Sequence, residues 1–135
     1  MSVETRVKYL RIALIVFGLV FIFGIYPLTI LWPAGWSWHH MDPDMAPELY
    51  LQMILGIYAT LGVFLLLASR NPLQNKSLIW FTVWSSVVHG GIMALQAVVY
   101  PQHMGHLFGD VPALLLAAII LGLLTPRGKP APASA

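Results

Sequence analysis

Ser69-Arg-Asn-Pro-Leu-Gln-Asn-Lys76 separates two long apolar runs, Pro47 to Ala68 before it and Ser77 to Tyr100 after it. Each run is near the ~20 residues that carry a helix across the hydrocarbon core of a bilayer. The link between them is short and polar, so the two spans are expected to be antiparallel neighbours. Its cations, Arg70 and Lys76, mark the turn as cytoplasmic under the positive-inside rule. Working outward, Val7 to Leu31 and Leu107 to Leu124 supply two further runs. All four lack the alternation of a barrel strand, and only helices or closed barrels satisfy their backbone groups in lipid. The expected fold is therefore an all-α integral membrane four-helix bundle over residues 1–124, followed by a Pro/Ala/Gly-rich tail, 125–135, expected to be disordered.

Charge gives the orientation. All seven Lys and Arg residues (Arg6, Lys8, Arg11, Arg70, Lys76, Arg127 and Lys129) fall on one side of the four runs. Asp42, Asp44, Glu48 and Asp110 fall on the other side, with His39, His40, His103 and His106. Both termini are thus expected in the cytoplasm, N-in and C-in. Trp32, Trp36 and Trp38 suit an outer aromatic belt, and Tyr9, Trp80 and Trp84 an inner one. The chain is 59% hydrophobic and 9% charged, against about a quarter charged in a soluble domain, so its solvent is the lipid bilayer. The small positive charge is topological, and nucleic acid is not implied as a partner. With no cysteine, disulfides, iron–sulfur clusters and thiolate chemistry are excluded. The basic start followed by an apolar run resembles a signal peptide, but Ile12 to Leu31 is too long for an h-region and ends in Trp32-Pro33, so it is read as a retained span.

Local signals refine the elements. Pro27 removes a backbone donor and is expected to kink the first helix. Pro47 and Glu48 suit the first turn of the second, and Asn75 or Ser77 can cap the third. Pro112 belongs in a first helical turn, leaving Pro112 to Leu124 only about 20 Å long. Either the fourth helix begins nearer His106 and bends, or the segment from His103 to Asp110 dips into the membrane covered by protein.

Two groups of residues have functional chemistry. His89 is the titratable side chain near the middle of the membrane, and Ser85, His89, Met93, Gln96 and Tyr100 recur at helical spacing on one face. One reading makes His89, with Met93 and Gln96, a site for haem, metal, protons or a quinone head group. The other makes it a neutral imidazole satisfied by Ser85, Ser86 or a neighbouring helix. The outer group offers imidazoles at His39, His40, His103 and His106, the carboxylate of Asp110, and thioethers at Met41, Met45 and Met104, a donor set suited to copper, then zinc. Its plain counterpart is a wet membrane surface, with Asp110 as a helix N-cap and Glu48 as a first-turn carboxylate. Glu48 and Gln52 share a face and, with Asp110, His106 and Gln96, outline a possible outward-opening polar cavity. Gly18, Gly24, Gly56, Gly62, Gly90 and Gly91 permit close helix approach.

Leu55-Gly-Ile-Tyr-Ala-Thr-Leu-Gly-Val-Phe64 and Ser77-Leu-Ile-Trp-Phe-Thr-Val-Trp-Ser-Ser-Val-Val-His89, with Gly24-Ile-Tyr-Pro27 and His106-Leu-Phe-Gly-Asp-Val-Pro-Ala-Leu114, resemble a family of small bacterial four-span membrane proteins of unknown function. In architecture the chain also resembles the DoxX-like group. These likenesses imply a bacterial inner-membrane protein and no particular activity. The expected function is an accessory or binding subunit, without independent catalysis, that binds a transition metal on its outer face and associates as a homo-oligomer or with a larger redox complex. Two alternatives are a quinone- or haem-binding electron-transfer component around His89, and a small oligomeric transporter using Glu48, Asp110 and His89 as proton-coupling groups.

Overall fold

A computed structural model describes residues 1–31 and 49–127. Among these there is no strand. The α-helices are α1 (Val3–Leu19), α2 (Tyr26–Leu31), α3 (Leu49–Arg70), α4 (Lys76–Val99) and α5 (Asp110–Leu124). A π-turn, Val20–Ile25, links α1 to α2, and a 3₁₀ segment, Pro101–Leu107, links α4 towards α5. Among the described residues four stretches are long and apolar enough to cross a membrane: Val3–Ile25, Gln52–Arg70, Lys76–Val99 and His103–Leu124. The expected start of the second span at Pro47 and Glu48, the belt at Trp32, Trp36 and Trp38, and the tail beyond Arg127 lie outside the described residues.

The first helix starts earlier than its hydropathy suggests, because the Ser2 hydroxyl accepts from the Thr5 amide at 3.2 Å and caps it. Its other end departs from a simple kink. Proline at position 27 has no N–H and clashes with the carbonyl four residues back. The chain widens into the π-turn just before it and resumes as α2.

The turn after α3 is tight: the Asn71 amide donates to the Ala68 carbonyl and the Asn75 amide to that of Pro72. Asn75 holds the N-cap position of α4, but its side-chain amide donates back to the Asn71 carbonyl at 2.9 Å. Although α3 and α4 are consecutive, they make little direct contact. The main partner of α3 is α1, that of α4 is α5, and α1 also packs on α5. The expected neighbours are therefore joined by their turn rather than by a packed face. The reason is steric: a Cβ on Gly62 would stand 2.7 Å from the Gly18 carbonyl oxygen, and one on Gly18 2.9 Å from that of Gly62. Paired glycines bring α1 and α3 backbone to backbone. Gly90 instead faces Leu114 of α5 at ordinary contact distance, while Gly56 and Gly91 face open space.

The buried core comprises Leu10, Leu14, Phe21, Leu65, Ala68, Ile79, Val83, Ala118 and Leu121. Leu55, Ala97, Val111 and Leu114 are buried in the other half; apart from Phe21, this contiguous cluster lies in the half nearer the Arg-bearing end. There the Arg6 guanidinium also donates to the Leu123 carbonyl, placing a cation on the C-terminal turn of α5. Exposed side chains such as Phe23, Ile57, Phe81, Trp84 and Leu116 are large and apolar. Such an exterior is compatible with contact to a lipid bilayer.

In the fourth span the α-helix does not begin near His106: it begins at Asp110, after the 3₁₀ segment. With 15 residues, α5 is about 22 Å long. The 3₁₀ segment lies against α4, with His106 9% exposed, and the stretch long and apolar enough to cross a membrane runs from His103 to Leu124. Pro112 sits in the first turn of α5, where a missing donor costs nothing.

Candidate functional site

At the level where the core ends, four elements converge. Phe21, held by the π-turn and 5% exposed, meets Tyr58 of α3 edge-to-face at 5.3 Å between ring centroids. Tyr58 in turn meets His89 of α4 edge-to-face at 5.7 Å. Beyond them, at the start of α5, Asp110 lies within electrostatic range of both Tyr58 and His89. Rings contributed by the first three spans thus form a continuous series ending at His89.

The fourth element brings a bonded pair. His106 Nδ1 donates to Asp110 Oδ2 at 2.6 Å, with the side chains 11% and 18% exposed. Its carboxylate acceptor makes the bond a charge-assisted one. It also orients the imidazole, since Nδ1 must carry the proton it donates to a carboxylate. The expected N-cap at Asp110 is corrected here: Gly109 holds the cap position and Asp110 is the first helical residue. Residues three apart in a 3₁₀ helix eclipse one another. His103 and His106 consequently stack at 5.8 Å and 29°, with Tyr100 edge-on to His103 at 6.3 Å.

The Tyr58 hydroxyl and the His89 ring nitrogens have no hydrogen-bond partner among the described residues. Nor are they sealed in, because no fully buried polar side-chain atom of the described residues lacks a partner. Neighbouring hydroxyls are occupied by their own helices. Ser85 donates to the Thr82 carbonyl at 3.2 Å, Thr82 to that of Leu78, and Thr60 to that of Gly56. Neither Ser85 nor Ser86 serves the His89 imidazole; its contact with a neighbouring helix is the Tyr58 ring.

Of the polar face of α4, Ser85, His89 and Met93 are half-buried, whereas Gln96 and Tyr100 are exposed. The face turned to neighbouring helices carries Ile79, Thr82, Val83, Ser86, Gly90 and Ala97. His103, His106 and Asp110 come together, but among the described residues no three His, Asp or Glu side chains are grouped to hold a metal ion. His39, His40, Asp42, Asp44, Met41, Met45 and Glu48 lie outside those residues. Gln52 is half-buried on α3.

The sequence profile of the Family of unknown function (DUF6632) matches residues 4–130. The chain belongs to that family. No curated protein and no solved structure matches it. In this DUF6632 protein the matched region contains every residue of the ring series and of the His106–Asp110 pair.

Sequence reasoning missed Tyr58 and Phe21. A signal for Tyr58 was present: Tyr58 and His89 stand fifteen and sixteen residues either side of Leu73, the middle of the turn. An antiparallel pair folded there puts them at one depth. No comparable signal marks Phe21, because its position depends on the π-turn.

Proposed function

We propose that this protein is a small binding subunit of a bacterial inner membrane that takes the hydrogen-bonding head group of a lipid-soluble molecule between Tyr58 and His89. The observation that supports this is the pair of accessible, unpartnered polar groups half-way along two spanning helices. In hydrocarbon there is no water to serve them, and an unmet polar group costs several kcal/mol. A ligand whose oxygens accept from the Tyr58 hydroxyl and from the His89 ring N–H removes most of that cost.

Among such ligands a quinone fits best. Its ring carbonyls accept hydrogen bonds, its flat ring suits the aromatic edges of Phe21 and Tyr58, and it reaches the site through the membrane. The His106–Asp110 pair adjoins the site on the side away from the basic turn, where it can exchange protons with a head group. Haem is less well served, since one midplane histidine per chain supplies one axial ligand. The charge distribution supports both termini in the cytoplasm, and so small a bundle suits assembly with itself or with a larger redox complex. The binding experiment uses untagged protein in nanodiscs titrated with a benzoquinone. Saturable quenching of tryptophan emission, weakened about tenfold in His89→Ala by loss of one hydrogen bond to a charged or polar partner, is the expected result. Absence of saturable binding to wild type overturns the proposal.

A second reading, a transition-metal site on the outer face, is favoured by the stacked His103 and His106 with Asp110 bonded to His106. An Asp-oriented imidazole is a common supporting arrangement for a metal ligand. Copper and zinc analysis of the same untagged sample separates the two readings.

A further inference from the structure

The contact between Gly18 and Gly62 divides the seam of α1 and α3 into an inner and an outer side. Leu10, Leu14 and Leu65, each 0% exposed, close the inner side against the core. The outer side carries cations. Arg11 precedes Gly18 by seven residues, two helical turns, and so shares its face of α1, with Lys8 one turn beyond it. On α3, Arg70 stands one turn past Leu66, whose Cγ would lie 2.8 Å from a Cβ on Gly18. The two helices are antiparallel, as the pairings of Gly18 with Gly62 and of Phe21 with Tyr58 require. Arg11 and Arg70 therefore reach one depth, seven and eight residues from the same crossing and about 10–12 Å along the helices from it. All three cations are exposed.

Nothing among the described residues answers these charges. Lys8, Arg11 and Arg70 form no ion pair there. Glu4, the acid at this end of the sequence, stands two turns beyond Arg11 and pairs with none of them. Arg6 shows the contrast, since it turns to α5 and donates to the Leu123 carbonyl. Membrane orientation requires cations at one end but is indifferent to the helix faces that carry them. Three on one side of one seam make a positive notch between two spans, the kind of place that holds a lipid phosphate. Directly inward lie Ile15, one turn from Arg11, and Leu67 and Val63, one and two turns from Arg70, all exposed and apolar. A phosphate in the notch thus has its acyl chains beside hydrocarbon surface.

We propose that Lys8, Arg11 and Arg70 bind the phosphate of an anionic phospholipid, of which phosphatidylglycerol is the simplest. The planar fork of an arginine gives a phosphate two parallel N–H···O bonds, and arginines from two helices reach its oxygens from two sides. A zwitterionic lipid has the same phosphate but adds an ammonium that the notch repels. This site is separate from Tyr58 and His89, and neither proposal depends on the other.

The test uses the full chain in a neutral detergent, titrated by calorimetry with short-chain phosphatidylglycerol, short-chain phosphatidylcholine and glycerol phosphate. Wild type is expected to bind phosphatidylglycerol most tightly of the three. Arg11→Gln and Arg70→Gln are each expected to weaken that binding about fivefold, the effect of one cation near an anionic head group. Arg127→Gln removes the same charge from another exposed position at this end and is expected to change nothing, which controls for charge-driven partition. At exposed positions these variants are expected to melt with wild type when lipid is absent. Should an arginine variant fail to fold, Lys8→Gln takes its place with the same expected loss. Equal affinity for phosphatidylcholine overturns the proposal, and so does an equal loss in Arg127→Gln. Glycerol phosphate binding as tightly as the lipid would give the notch to a soluble phosphate and overturn the lipid assignment.

Discussion

Tyr58 brings a hydroxyl into the middle of a spanning helix and, among the described residues, gives it no partner. A residue kept for packing would do as well without the oxygen. Tyr58→Phe is accordingly expected to leave thermal stability in detergent within about 0.5 kcal/mol of wild type, while weakening quinone binding about three- to tenfold. A stability loss with unchanged binding would reverse the assignment. Asp110 presents the opposite case, because its carboxylate already has a partner at 2.6 Å in a largely buried setting. Asp110→Ala removes the acceptor for His106 Nδ1, and a cost of about 1–3 kcal/mol is expected from the stranded donor. Circular dichroism melts of the two variants side by side measure the difference. An unperturbed melt for Asp110→Ala would show that the pair contributes nothing to the fold.

At the level of helices, the glycines divide into two kinds that look alike in sequence. Gly18 and Gly62 sit where α1 and α3 cross, and a Cβ on either would fall inside 3 Å of the other's carbonyl oxygen. Backbone cannot yield as a flexible side chain can, so Gly62→Ala is expected to cost about 1–3 kcal/mol by overpacking. Gly91, with nothing within 4 Å, behaves differently: Gly91→Ala is expected to be neutral or to stabilise by up to about 1 kcal/mol through reduced backbone entropy. Thermal shift measurements on the two variants decide the point, and equal effects would contradict the α1–α3 crossing. The π-turn belongs to this scale too. Its wider turn positions Phe21 against Tyr58, so Pro27, through the element it favours, contributes to a site that it need not touch.

For the whole molecule, the Arg-bearing end carries the contiguous core cluster, the tight turn and the Arg6 contact to Leu123. The other end carries the His106–Asp110 pair and the approach to His89. Orientation is testable with the chain's own lack of cysteine, because any introduced thiol is unique. In intact cells a membrane-impermeant maleimide is expected to label Met104→Cys, which is exposed, and to spare Ser2→Cys and Arg127→Cys until the membrane is opened. The reverse pattern would refute the N-in, C-in assignment.

The sequence by itself determined the number of apolar spans, the tight turn, the separation of charges and the place of His89 half-way along its span. These follow from hydropathy and charge, which each residue carries whatever its neighbours. Tertiary structure decided that α3 packs on α1 rather than on α4, that Tyr58 stands against His89, and that Asp110 bonds His106 instead of taking the N-cap position. In a soluble protein the apolar stripe of a helix announces its inward face. In a bilayer a leucine against lipid and a leucine in the core are chemically alike, so hydropathy is silent on which faces meet. That choice was left to shape, to two glycines at one crossing and one proline after a π-turn, and shape is a property of the assembled helices.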